Sequence, residues 1–264
     1  MRQLRYNGTV RALPTGWDSV GPAAWGLLRS LARRSAGDGR RNALRELVGL
    51  SRSEWRRLDP EQLEAITAAL PWLDVTPLRA PLRRSFRHRL TRYWLPEPDF
   101  LDGQALAYHL ADGYFQEIAE PESAEAANTA ALRLLATLAR PLKGLARAPI
   151  TSVEEVEARA ERFRRLPPEH VVHGLMVWAG IRETVHEWYG EYLFKRSPLD
   201  KEPEYDVPNY GWSSIFQDVA EGGVFGDLAG VERANFHEVC QWLVRKEAVR
   251  RAQQIEMEKQ RLKR

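Results

Sequence analysis

HVVHGLMVWAGIRETVHEWYGEYLF, residues 170–194, decides the fold, because it is the most apolar helical stretch in a chain that otherwise reads as helix after helix. Apolar residues recur over nearly all of its circumference, which places it at the centre of a core. Pro167 and Pro168 stand just ahead of it and separate it from a charged helix that begins at Thr151 or Ser152 and runs to about Leu166. Its strongly apolar part, GLMVWAGI at 174–181, is far shorter than the roughly 20 residues that a bilayer span requires.

Downstream, SPLDKEPEYDVPN (197–209) is rich in proline and acid and reads as an exposed connector. YGWSSIFQDVAEGGVFGD (210–227) follows. Its Gly222-Gly223-Val224-Phe225-Gly226-Asp227 run invites a phosphate-loop reading, but a helix rather than a buried strand precedes the glycines, and no Gly-Lys-Ser/Thr ends them. The structural-turn reading is preferred: WSSIFQDVAE is a helix, Gly222 is its positive-φ cap, and Gly223, Gly226 and Asp227 turn the chain toward the last helix. Ser213 and Ser214 sit where helix capping explains them. The last helix begins near Asn235 and carries Phe236, Val239, Cys240, Leu243 and Val244 at core spacing. Beyond it the apolar stripe thins to Val249, Ile255 and Leu262, and residues 245–264 hold eight Lys/Arg against three Glu. That tail therefore carries +5 of a total of +3, leaving −2 for the rest. It reads either as a solvated end or as a partner or coiled-coil contact.

Upstream, QLRYNGTVRAL (3–13) sets Asn7-Gly8 between two short alternating runs, the pattern of a two-residue hairpin. A first helix with Trp25, Leu28, Leu31 and Ala32 on one stripe is expected to end at a Gly37-Asp38-Gly39 break, and a second carries Leu44, Leu47 and Val48. Asp59 caps a third, with Pro60 in its first turn. Residues 82–95, with SFRHRLTRYWL at their centre, fit strand and helix equally. A helix capped by Asp102 and another over EAANTAALRLLATLAR complete the pattern. The fold expected is mainly α: a helical domain with an N-terminal hairpin over 1–232, a sub-boundary near 120–150, and a C-terminal helix extending as a basic tail over 233–264.

The chain has 264 residues, 44% of them hydrophobic, which is enough to build a core. Residues 1–30 lack the basic start and apolar run of a secretory signal, so a cytoplasmic protein is expected. The lone Cys240 excludes an intrachain disulfide and, beside Val239 and Trp242, reads as a buried thiol. No catalytic residues, metal or cofactor are expected. Glu169, His170, His173, Glu183 and His186 mimic part of a di-metal site, but His173 and Glu183 are ten residues apart, about 15 Å along a helix, so one ion cannot join both. His186 is placed near the apolar face and Glu187 toward the polar one. Tyr210, Trp212, Phe216 and Phe225 are candidate partner-binding residues, and anchoring Tyr210 and Trp212 against the core is the competing role. RAPLRRSFRHRLTR (79–92) has six arginines, a histidine and no acid. Arg83, Arg84, Arg87 and Arg89 within it, together with the basic C-terminal tail, are the candidate nucleic-acid contacts of an alternative, nucleic-acid-associated protein.

Four stretches taken in order resemble uncharacterised tail-module proteins of tailed phages and prophages, encoded near tape-measure genes. They are the opening hairpin with LPTGWDSV, ALRLLATLARP, ERFRRLPPEHVVHGLMVWAGIR, and YGWSSIFQDVAEGGVFGDLAGVERANFHEVCQWLV. The resemblance implies a non-enzymatic role in tail assembly or tail structure, as a chaperone binding a tape-measure protein, in the cytoplasm of a bacterial host or in the virion. The arginines of 79–92 depart from that pattern.

Overall fold

The computed structural model describes residues 2–6, 9–33, 36–70, 77–195 and 211–262. In chain order the elements are β1 (Arg2–Tyr6), β2 (Thr9–Leu13), α1 (Ala24–Ala32), α2 (Ala36–Val48), α3 (Arg52–Arg56), α4 (Pro60–Ala69), β3 (Ser85–His88) and β4 (Thr91–Trp94). Then come α5 (Ala105–Ala119), α6 (Ala124–Leu138), β5 (Leu142–Lys143), β6 (Ala146–Arg147), α7 (Val153–Phe163), α8 (Pro168–Leu193), α9 (Trp212–Glu221), α10 (Leu228–Arg233) and α11 (Phe236–Leu262). The architecture is mainly α, as expected, with three two-stranded antiparallel sheets among the described residues. β1 and β2 pair from Arg2↔Leu13 to Tyr6↔Thr9; the Asn7-Gly8 turn lies outside the described residues.

Helix α8 is the axle of the packing, with α1, α6 and α11 against it. Trp178 is wholly buried at its middle, a burial that contributes roughly 2–3 kcal/mol for a side chain of this size. Phe100 and Tyr108 close on it at 6.2 and 5.0 Å, and Phe236 stacks on Tyr108 at 3.8 Å. Gly180 supplies the space for a crossing strap: a Cβ there would fall inside the Leu78 carbonyl, and Leu78 N donates to Met176 O at 2.9 Å. The strap leads into β3, and Leu82 N donates to His173 Nε2 at 3.0 Å, which ties the foot of the hairpin to the same helix.

Several helix starts follow local chemistry. Ser123, Ser152 and Asp59 accept from the third residue's N–H at α6, α7 and α4, the ordinary way to satisfy an orphan donor. Others differ from expectation. Gly37, Asp38 and Gly39 lie inside α2, not in a break. Gly39 lies where a Cβ would crowd the Leu31 carbonyl of α1, so the glycine serves close helix packing. Asp102 does not cap α5, whose N-cap is Gln104 without a side-chain cap bond. Asp102 instead accepts from Glu97 N at 2.9 Å and from the Arg147 guanidinium. Residues 85–94 are a strand pair, with Arg89 and Leu90 as the two-residue loop.

Two arginines hold the end of α6, and a third, Arg140, ties the chain just past it to the segment after β6. Arg159 donates to Ala136 O at 2.6 Å and Arg147 to Leu138 O at 2.8 Å, while Arg140 donates to Ala148 O at 3.0 Å. Cationic donors suit the last carbonyls of a helix. Burial pushes the Arg140 guanidinium down to about 9, with Arg147 adding repulsion and Asp102 opposing it. The Arg140 backbone also pairs with Trp94 in both directions, so the end of α6 and the strand β4 share one hydrogen-bonded bridge.

Candidate functional site

The aromatic and glycine block forms a dock for α11. Trp212 is 8% exposed and meets Tyr108 and Phe236 edge-on at 5.1 and 5.2 Å, and Phe216 is buried beside it. Burial suits both rings to the anchoring role, with Phe216 1% exposed and only an edge of Trp212 open to the neighbouring cleft. Phe225 is partly open, and Tyr210 lies outside the described residues. The positive φ falls on Gly223 (70°) and Gly226 (85°), whereas Gly222 is right-handed at −69°. Gly222 is needed for a different reason, since a Cβ there would crowd the Trp242 ring at 3.0 Å. Asp227 caps the short α10 through Gly230 N at 2.8 Å. Ser213 is no cap: Gly211 is the N-cap of α9, and the Ser213 hydroxyl bonds His109 Nε2 at 3.2 Å.

Between α5, α9 and α11 lies a cleft of about 730 Å³, whose lining includes His109, Asp112, Trp212, Ile215, Leu243 and Lys246. Burial pushes the His109 imidazole below its ordinary value, which keeps it neutral near pH 7. Asp112 meets Arg182 Nε at 2.8 Å and accepts from Gln116 at 3.2 Å. Glu247 accepts from Arg250 at 2.6 Å and Arg251 at 2.7 Å, and these bonds, Arg250 first, hold its carboxyl below the usual range. Arg251 also donates to the Glu191 and Lys195 carbonyls at 3.1 and 2.9 Å, closing the end of α8 and fixing where α11 leaves the body. Asp112 and Glu247 of this wall are therefore bound to cations, and Trp212, Ile215 and Leu243 give it an apolar side.

The other exposed feature is the β3–β4 face. Phe86 and Tyr93 pair across the strands and turn inward onto Phe163 at 5.7 and 4.9 Å. Alternation then turns Arg87 and Arg92 outward, directly opposite each other. Arg83 lies over the Trp25 ring at 4.5 Å, Arg84 is exposed, and Leu90 at the tip is 93% exposed. Arg79 pairs with Glu187 at 3.1 Å; among the described residues no carboxylate pairs with Arg83, Arg84, Arg87, Arg89 or Arg92. From the C-terminal end of α7, Arg162, Arg164 and Arg165 close with Arg89 and Glu161 on a shallow notch of about 450 Å³. Arg164 meets Glu161 at 2.7 Å.

Sequence reasoning missed the α7 arginines as part of this surface. Their run in ERFRRL is visible, but nothing local links it to a loop some seventy positions earlier. It also misplaced His186, which is exposed and stacks on Phe194 at 4.2 Å. The buried histidine of α8 is His173, which burial pushes down to about 3. Glu169 is bound by Arg33 at 2.6 and 2.8 Å. Among the described residues no cluster of three or more His, Cys, Asp or Glu is placed to hold a metal ion, and no helix is long and apolar enough to cross a membrane. Cys240 is buried, and burial raises its thiol.

No protein family, curated protein or solved structure matches the chain.

Proposed function

We propose that the chain is a non-enzymatic assembly protein of a phage or prophage tail module, acting through protein contacts made by the far end of α11. The observation that supports this is the projection of that helix. From Ala252 to Leu262 every residue but Gln254 is exposed, a length of about 16 Å. Ala248, Ala252, Ile255, Lys259 and Leu262 follow at intervals of four and three residues, the spacing of a coiled-coil seam interrupted by one lysine. Ile255 and Leu262 are 47% and 79% exposed. Two heptads are too short to pair alone, so the seam suits a longer amphipathic helix that also rests on the body. A long helical tail protein, such as a tape-measure protein, has that form. The place of action is then the bacterial cytoplasm during assembly, or the virion.

The test is co-expression with a neighbouring gene's very long helical product, followed by pull-down. Capture is expected, with loss in an Ile255→Asp/Leu262→Asp variant of unchanged circular dichroism. Undiminished capture by that variant, or a metabolic gene neighbourhood, overturns the proposal. The Ser213–His109 pair offers a separate check on the non-enzymatic half, because covalent labelling of Ser213 by a fluorophosphonate would reveal an activated nucleophile.

A further inference from the structure

We infer that the outer face of the β3–β4 hairpin and the C-terminal end of α7 together form a binding surface for the phosphodiester backbone of a nucleic acid, gripped at the notch between Arg89 and Arg162, Arg164 and Arg165. Four guanidiniums surround that notch against the single Glu161 carboxylate, a net +3 at one spot. Arg84, Arg87 and Arg92 extend the same field along the exposed side of the strands. Arginine suits this ligand because its planar fork of donors matches the oxygens of a phosphate two at a time.

Two features of the hairpin run against its own stability and point outward. Arg87 and Arg92 are directly opposed across the strands, an arrangement in which like charges repel. Arg89 opens a two-residue loop with φ 54°, in the left-handed region that such loops normally fill with Gly, Asn or Asp. A sequence selected only to turn the chain would place glycine at that position. The strained arginine instead delivers a guanidinium to the rim of the notch, where residues from a separate helix supply three more. An anion lying there relieves the repulsion that the empty face carries.

Nucleic acid is favoured over an acidic protein by what the face lacks. Protein interfaces centre on buried aromatic or aliphatic anchors ringed by polar groups of both signs. Here Phe86 and Tyr93 point inward, Trp94 at the end of β4 is half-buried with the Arg92 guanidinium 6.0 Å over its ring, and Leu90 is the one large apolar side chain exposed on the strands and their loop. Apart from Leu90, the exposed side chains there are guanidinium and hydroxyl. Such a surface contacts phosphate rather than base edges, so binding is expected to be independent of sequence. The surface is separate from the α11 seam and stands whether or not the tail-assembly proposal holds.

The experiment measures fluorescence anisotropy of labelled duplex DNA and single-stranded RNA against the full chain over a salt series. Counterion release predicts a log–log slope of about −0.9 for each phosphate neutralised on duplex DNA, so four contacts lose roughly a hundredfold between about 50 and about 200 mM salt. Arg87→Ala/Arg92→Ala and Arg162→Ala/Arg165→Ala should each flatten the slope by about two units. Truncation after Arg251, which removes much of the basic tail, should leave it unchanged. Arg89→Gly gives a readout that a structural role would not: weaker binding together with a higher melting temperature, since glycine relieves the turn. The DNA and RNA arms show which polymer is preferred. Absence of salt-dependent binding, slopes untouched by the hairpin and α7 variants, or equal competition by polyglutamate of matched length would each overturn the inference, the last in favour of an acidic protein.

Discussion

Around the end of α6 the side chains of Arg140, Arg147 and Arg159 are shielded from solvent, and each donates to a main-chain carbonyl. On the β3–β4 hairpin, Arg84, Arg87, Arg89 and Arg92 stand in solvent with no carboxylate partner among the described residues. The same residue type is mortar in one place and a bare field in the other. Net charge and local arginine density respond to both alike, and the difference lies in whether a chain end or helix end nearby has carbonyls left to satisfy. Substitutions that hold shape while removing charge should therefore destabilise the protein at the first site and spare or improve it at the second.

The largest effect is expected at Arg147. Its side chain is 5% exposed and binds both Asp102 oxygens and the Leu138 carbonyl, so Arg147→Met leaves Leu138 O and Asp102 Oδ2 without their donor and Asp102 Oδ1 with the Glu97 N–H alone. A loss of about 2.5 kcal/mol in urea unfolding is the expected outcome, from the charge-assisted bonds and the Leu138 carbonyl; a change below about 0.5 kcal/mol would erase the distinction between the two sets. Arg159→Met leaves Ala136 O without its donor in a buried setting, with a cost of about 2 kcal/mol by the same measurement.

An intermediate effect comes from pH, through the bond that holds the foot of the hairpin. His173 accepts from Leu82 N and must stay neutral to do so; burial, then His170 and Arg83, lower it to about 3. The unfolded chain therefore binds a proton near 6.5 that the folded chain refuses. The stabilisation is complete above that value and is lost on acidification from about 6.5 toward 3, at about 1.4 kcal/mol per pH unit. His109 and His170 are lowered by burial too and act in the same direction. His173→Gln keeps an acceptor for Leu82 without the titration, so unfolding midpoints measured from pH 7 to 5 should flatten in that variant. An unchanged slope would show that the hairpin is not held this way.

The smallest effect has the opposite sign. Arg92→Thr removes the cross-strand repulsion with Arg87 and places a β-branched residue on a strand, and it is expected to stabilise by about 0.5 kcal/mol, read as a raised melting temperature at low salt.

What the sequence revealed follows the range of each interaction. Caps at Ser152 and Asp59, the span of α9 and the central place of residues 170–194 depend on neighbours within a turn or on one dominant apolar stretch, and these are legible. Gly39 within α2 and Gly222 beneath Trp242 are set by elements packed across them, so the local rules that read one as a break and the other as a left-handed cap mislead. The hairpin hid because Arg89-Leu90 carries none of the Gly, Asn or Asp that advertise a tight turn. Asp102 hid because its partner Arg147 is forty-five positions away. The candidate binding face was half legible, since the hairpin arginines lie close together in sequence while those at the end of α7 join them only in space.

Gly180 has a further consequence for how this chain tolerates change. Because the Leu78 strap occupies the volume of an absent methyl group, even alanine there must lift the strap and with it the segment that feeds the hairpin. Random mutagenesis under selection for folding should find α8 least forgiving at its emptiest position, and drift should collect instead on the outer faces of β3 and β4, where bulk is unconstrained.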